Sequence, residues 1–223
     1  MAKDPTRHQN LPILYSFVRC PYAMRARMAL IYSGINCVLR EVNLKAKPPE
    51  LLEISPKGTV PVLLQTNGEI LEESLDIMAY ASIDSDLNLK NFSMPAQKQI
   101  LSLIKENDEE LTSLIRPYKY PDRYPDQSAA NCRWYIEKLF LKKYNQMLEN
   151  QDFLLGKISL ADLAIFPFVR QCSKVDEDWF YNLEYQNLIE WVKRFASQDV
   201  FKNLVMKKHE PWNRSQKAVD LIG

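Results

Sequence analysis

The chain changes its hydrophobic rhythm once. Up to about residue 82, short β-prone runs alternate with short helix-prone ones. From about Ser93 onward, the long segments repeat their apolar residues at helical spacing and none reads convincingly as a strand. The helical segments are Ala96 to Ile115, Ala129 to Glu149, Leu160 to Cys172 and Leu188 to Ala196. A chain with one such break folds as a small α/β domain followed by an all-helical one. The stretch Ile83 to Phe92, rich in Asp, Ser and Asn, reads as the connection. The expected division is residues 1–82, a linker over 83–93, and a helical domain over 94–223.

Within the first part, Ile13 to Val18 reads as a strand and Pro21 to Ser33 as a helix, with Gly34 just past its end. Asn36 to Val42 reads as a second strand and Pro48 to Ile54 as a short helix or turn. Val60 to Leu64 and Glu69 to Leu71 read as strands joined through Thr66-Asn67-Gly68, a hairpin signal, and Ser74 to Ala81 reads as a helix. The order βαβ then ββα resembles that of thioredoxin.

With 223 residues, 46% hydrophobic content and a net charge of +1, the chain has the composition of a globular protein. Its charge gives no global field that would draw nucleic acid or an anionic membrane. Met1 to Asn10 is polar and lacks the apolar core of a leader, and no apolar run is long enough to span a bilayer. A cytoplasmic location is the default expectation. The cysteines at 20, 37, 132 and 172 are too widely spaced for a zinc site or a disulfide framework, and no metal site is expected.

Cys20 stands apart from the other three. It lies where a strand ends and a helix opens with proline, and unpaired helix N–H groups favour a thiolate there. Ala23 occupies the position of a second cysteine, so a partner sulfur has to come from a small molecule. Three further features fall in the same domain. Pro61 opens a buried strand, and a cis Val60–Pro61 bond would present the backbone of Val60 to an extended peptide. Glu72-Glu73-Ser74 begins a helix, where a serine suits a carboxylate and a glutamate an amine. Lys47, in Lys45-Ala46-Lys47-Pro48-Pro49, is available for a second carboxylate. Each has an ordinary structural reading when taken alone: a buried cysteine, a strand start, a helix cap, a solvated lysine. The ordered combination is the specific signal, and the tripeptide glutathione fits it.

These residues resemble the glutathione transferases, most closely the cysteine-type omega class. The matching segments are Cys20-Pro21-Tyr22-Ala23, Asn43 to Pro48, Gly58-Thr59-Val60-Pro61-Val62-Leu63 and Glu73-Ser74, with Ser159 to Asp162 and Pro167 in the helical half. The sequence departs modestly at Thr59, where an apolar residue is common, and at Tyr22, where phenylalanine is common. The resemblance implies that Cys20 is the catalytic thiol, that Lys47 meets the glycine carboxylate, and that Val60 pairs main chain to main chain with the cysteinyl unit. Glu73 and Ser74 would hold the γ-glutamyl amine and carboxylate. A homodimer is implied by the resemblance alone.

A lowered thiol pKa is expected of Cys20. It raises the thiolate fraction but lowers nucleophilicity by a comparable factor when the Brønsted coefficient is about 0.5, so its benefit falls on departure of the sulfur. That favours thiol transfer and reduction of mixed disulfides or dehydroascorbate-like substrates through a Cys20–glutathione mixed disulfide. The alternatives are a conventional conjugating transferase and a non-enzymatic binding or regulatory protein of the same fold. Arg25 and Arg27 read as solvated helix charges, although Arg25 has the option of supporting the thiolate, and Tyr15 reads as packing. Tyr118, Tyr120, Trp134, Arg170 and Trp179 are candidates for a second-substrate pocket. Ser159 and Asp162 read as a capping box, not a catalytic pair, and Pro167 as a residue that either kinks the helix the box opens or costs it roughly 3 kcal/mol.

Overall fold

The computed structural model describes residues 10–222. His8 and nearly all of the polar segment read above as carrying no leader lie outside the described residues. The chain divides into two compact units: one runs to Asn88 and takes in the chain from Asp199 onward, and the other is Leu89–Gln198.

The first unit is built on a five-stranded sheet of order β4-β3-β1-β2-β5. Its elements are β1 (Ile13–Ser16), α1 (Pro21–Tyr32), β2 (Val38–Glu41), α2 (Pro49–Ile54), β3 (Val62–Leu64), β4 (Ile70–Leu71), α3 (Ser74–Ser82) and β5 (Val219–Asp220). Strand β1 is central, parallel to β2 with Ile13 opposite Val38, and antiparallel to β3 with Leu14 opposite Leu63. The turn before β4 uses Gly68 at φ 88°, as the Asn-Gly signal implied.

Helix α1 is buried on all sides from Ala23 to Leu30. Ala23, Ala26 and Ala29 fall three apart, which lets its backbone approach its neighbours closely, and α3 packs against it. The same burial overturns the reading of Arg25 and Arg27 as solvated charges: they are 2% and 0% exposed. Each is matched by polar groups instead. Arg27 donates through Nε to Ser16 Oγ at 2.7 Å, through Nη1 to the Val205 carbonyl at 3.1 Å, and through Nη2 to the Glu41 carboxylate. Glu41 also accepts from the Val18 amide at 2.8 Å, so one buried carboxylate ties together helix, strand and the loop before Cys20.

The tail corrects the expected division. Residues from Asp199 onward, assigned by pattern to the helical half, belong with the sheet. Strand β5 pairs antiparallel with β2, Val38 opposite Asp220, and covers what would be an open edge. The Trp212 amide donates to the Glu41 carbonyl at 2.7 Å. Its ring meets Tyr15 edge-on at 6.2 Å, with the Arg40 guanidinium 3.9 Å from the ring centroid. Tyr15 is a core residue beside Val42, Leu51 and Val62, in keeping with its reading as packing.

The second unit is helical: α4 (Met94–Glu106), α5 (Thr112–Lys119), α6 (Ala129–Tyr135), α7 (Lys142–Met147), α8 (Leu160–Ser173), α9 (Glu177–Tyr181) and α10 (Gln186–Ser197). Wider π turns over Asn107–Leu111 and Ile136–Leu141 join α4 to α5 and α6 to α7. Its core is the face of α8 against α10, where Phe166 stacks on Phe195 at 4.8 Å and Trp191 meets both edge-on. Helix α8 continues through the buried Pro167.

Asp162, fully buried, closes the capping box and does more besides. It accepts from the Ser159 amide at 3.0 Å, the Ser159 hydroxyl at 2.8 Å, the Leu154 amide at 2.9 Å and Trp191 Nε1 at 3.2 Å. Burial nonetheless outweighs these donors and pushes its pKa up to about 6. No helix among the described residues is long and apolar enough to cross a membrane.

Candidate functional site

Cys20 is the N-cap of α1, with extended backbone (φ −81°, ψ 121°) and Pro21 at the first helical position. It is partly buried, and its thiol donates to the Val60 carbonyl at 3.6 Å. The Val60–Pro61 peptide is cis. Two of the residues singled out from sequence, forty positions apart, therefore meet across the junction of α1 and β3.

The thiol's ionisation differs from the expectation. Burial pushes Cys20 up from the ordinary cysteine value. The amides of Ala23 and Tyr22 pull it down, as do the charges of Arg25 and Arg27, but together they do not overcome desolvation. The bond to Val60 adds to this, because a thiol that donates to a carbonyl is held in its neutral form. The N-terminal position of Cys20 supplies the favourable amides that the sequence implied, and tertiary packing removes the water that a thiolate needs.

Lys47 is exposed, and its side chain lies over Gly58. A Cβ at Gly58 would come within 3.2 Å of Lys47 Cδ, 3.3 Å of Lys47 Nζ and 2.8 Å of Leu52 Cδ2, and Gly58 has φ +56°. The positive φ favours glycine there, a side chain would push Leu52 and Lys47 aside, and the lysine sits next to the segment that leads to Val60.

Glu73 and Ser74 open α3 as its N-cap and first residue. Glu73 is exposed, and Lys57 Nζ donates to it at 2.5 Å. Ser74 is 3% exposed, and its Oγ accepts from Arg25 Nε at 2.9 Å. Neighbouring Glu72 accepts from the Ser55 hydroxyl at 2.5 Å, which pins the end of α2 to the turn before α3. The sequence reading gave Arg25 only the option of supporting the thiolate and gave Lys57 no role; here Arg25 meets Ser74 and Lys57 meets Glu73. Neither carried a signal in the sequence beyond its charge, Arg25 standing between Met24 and Ala26 on a helix that also holds Arg27.

Among the candidates in the helical half, Tyr118 packs edge-on against Trp179 at 5.9 Å, and Arg133 lies 5.4 Å from the Trp179 ring while pairing with Asp176. Tyr120 is exposed between Lys119 and Arg123, Trp134 is exposed against Tyr135, and Arg170 is partly buried. Among the described residues, no three His, Cys, Asp or Glu side chains gather as a metal site.

The site of the first unit can hold a short, extended, doubly anionic ligand. By chemistry alone, a helix N-terminus and a hydroxyl suit a carboxylate, an exposed glutamate suits an amine, a strand-entry backbone a peptide, and a lysine a second carboxylate.

Residues 14–87 match the family described as "Glutathione S-transferase, N-terminal domain", and residues 100–199 match "Glutathione S-transferase, C-terminal domain". The chain is 28% identical over 187 residues to glutathione S-transferase omega-1 of Rattus norvegicus, covering 80% of this chain and 70% of the relative. It is 31% identical over 221 residues to glutathione S-transferase L2, chloroplastic, of Arabidopsis thaliana, covering 92% and 70%. A glutathione transferase from Pseudomonas putida, solved with one glutathione disulfide bound per subunit, superposes with a TM-score of 0.75 at 20% identity, covering 91% of this chain and 94% of that one.

Proposed function

Because the chain belongs to the glutathione S-transferase family, we propose that it is a cysteine-type member that moves glutathione between thiols through Cys20. The observation that carries this reading is the contact of Cys20 Sγ with the Val60 carbonyl at 3.6 Å. Val60 is the residue whose backbone would pair with the cysteinyl unit of glutathione, so the ligand's sulfur is expected beside the protein's.

In this reading Cys20 gives up its proton, attacks the glutathione sulfur of a mixed disulfide R–S–SG, and expels RSH, which takes a proton as it leaves. Cys20–S–SG remains. A second glutathione thiolate attacks that glutathione sulfur, releases Cys20 as a thiol, and departs as oxidised glutathione. The R half of the mixed disulfide is reduced to RSH and one glutathione thiol is oxidised. Lys47 would take the glycine carboxylate, Val60 the cysteinyl amide groups, Glu73 the γ-glutamyl amine and Ser74 its carboxylate. Because burial raises the Cys20 pKa, the free protein presents a thiol at neutral pH, and its departure as a leaving group gains nothing from a lowered pKa. The glutathione disulfide bound in the Pseudomonas putida structure supports glutathione as the source of the ligand. A cytoplasmic, homodimeric protein acting on small disulfide or electrophilic substrates completes the proposal, with the domain division amended as above.

The raised pKa also favours a second reading. A neutral Cys20 thiol is a hydrogen-bond donor, and such a donor stabilises the thiolate of bound glutathione for conjugation to an electrophile. One experiment separates the two. After exposure to oxidised glutathione, the mass of the protein is expected to rise by one glutathione adduct on Cys20, and Cys20→Ser is expected to lose thiol transfer altogether. Full thiol transfer by Cys20→Ser would sink the proposal. Conjugation of an aryl halide by the native protein without any adduct would favour the second reading.

A further inference from the structure

Ser74 has one hydroxyl proton and two lone pairs, whereas a guanidinium only donates. The 2.9 Å bond from Arg25 Nε therefore fixes the Ser74 oxygen as acceptor. Its own proton is left to donate elsewhere, and Ser74 makes no second side-chain hydrogen bond among the described residues. Both side chains are almost wholly buried, at 2% and 3% exposure, so water does not scramble this assignment. Arg25 is held in turn by the Tyr22 ring, 5.0 Å from its guanidinium carbon, two residues from Cys20.

We propose that Arg25 is a positioning residue: it turns the Ser74 hydroxyl proton out to the α-carboxylate of the γ-glutamyl unit. This deepens the reading of Ser74 as a head-group residue and rests on it. A rotating hydroxyl in water offers its proton in any of three directions, whereas one held by a buried guanidinium offers it in one. The arginine's positive charge, set behind the hydroxyl, further favours an anion in front of it. The residue also links the thiol helix α1 to the head-group helix α3, so one side chain sets the spacing between the places for the ligand's sulfur and its γ-glutamyl head.

The test uses S-methylglutathione, whose blocked sulfur Cys20 cannot take up, and its analogue with the γ-glutamyl α-carboxylate converted to an amide. Dissociation constants are measured by calorimetry on the full chain for the native protein, Ser74→Ala, Arg25→Met, Arg25→Gln and the Arg25→Met/Ser74→Ala double variant. Loss of a hydrogen bond to a charged group is expected to weaken binding roughly tenfold or more for Ser74→Ala and for Arg25→Met. The double variant is expected to bind no more weakly than Ser74→Ala alone, because the two act as one unit. Arg25→Gln keeps an N–H for Ser74 and is expected to recover most of the affinity. Against the amide analogue, native protein and Arg25→Met should bind alike.

If Arg25→Met does not fold, Arg25→Leu, which also lacks a donor, replaces it with the same expectations. Native affinity in Ser74→Ala would overturn the head-group reading itself. Weakened Ser74→Ala together with native affinity in Arg25→Met would overturn the positioning role alone. So would a double variant whose loss is the product of the two single losses.

Discussion

Replacing Glu41 with alanine tests the polar core beneath the thiol loop. Glu41 is 6% exposed and Arg27 is 0% exposed, and the carboxylate serves both the Arg27 guanidinium and the Val18 amide. Alanine leaves Arg27 charged and buried with only Ser16 Oγ and the Val205 carbonyl as its remaining partners among these groups. Breaking one side of a buried ion pair costs about 3–5 kcal/mol. With a urea slope of about 2 kcal/mol per molar, the unfolding midpoint should fall by about 2 M. The double variant Arg27→Met/Glu41→Leu removes both charges and should recover most of that loss, because the desolvation penalty goes with them. Urea unfolding followed by circular dichroism measures the midpoint, and hydrogen exchange of peptides spanning β1 and β2 assigns the loss to the first unit. A Glu41→Ala protein within about 1 kcal/mol of native, or a double variant no more stable than the single, would refute the reasoning.

Other outcomes are expected from the same geometry. Alkylation of Cys20 by iodoacetamide should follow a pH profile with its midpoint above that of an ordinary cysteine, since burial disfavours the thiolate; a midpoint below it would restore the expectation drawn from sequence. Asp162 has a folded pKa of about 6, above the ordinary aspartate value, so the native state holds its proton where the unfolded chain has lost it. Its contribution to stability is greatest below the unfolded value and is lost as pH rises through about 6, a swing of about 3 kcal/mol at most. Comparing urea midpoints at pH 4, 5, 6 and 7 should show that slope in the native protein and not in Asp162→Asn. Gly58→Ala should lose about 1–2 kcal/mol from its positive φ and its clash with Leu52, and should weaken glutathione binding by displacing Lys47, as thermal unfolding and calorimetry would read.

The elements of the first unit were legible because each carries a local signal. Pro21 starts α1, Gly34 ends it at φ 70°, and Asn67-Gly68 turns the hairpin. The capping box at Ser159 marked the start of α8 for the same reason, since its groups lie within four residues. Strand β5 is two residues long, with no periodicity to detect, and exists only because β2 offers an edge to pair with. The candidate site shows the same split. Cys20, Val60, Glu73 and Ser74 were marked by proline and helix-start signals, whereas Arg25 and Lys57 acquired partners from distant parts of the chain.

By itself the sequence determined where helices and strands begin and which thiol stands at a helix N-terminus, because these depend on residues close together in the chain. Only the tertiary structure decided the state of that thiol, the burial of Arg25 and Arg27, and the return of the tail to the sheet. Desolvation and long-range pairing depend on what packs around a group, and α1 looks like a charged surface helix until the sheet, α3 and the tail enclose it.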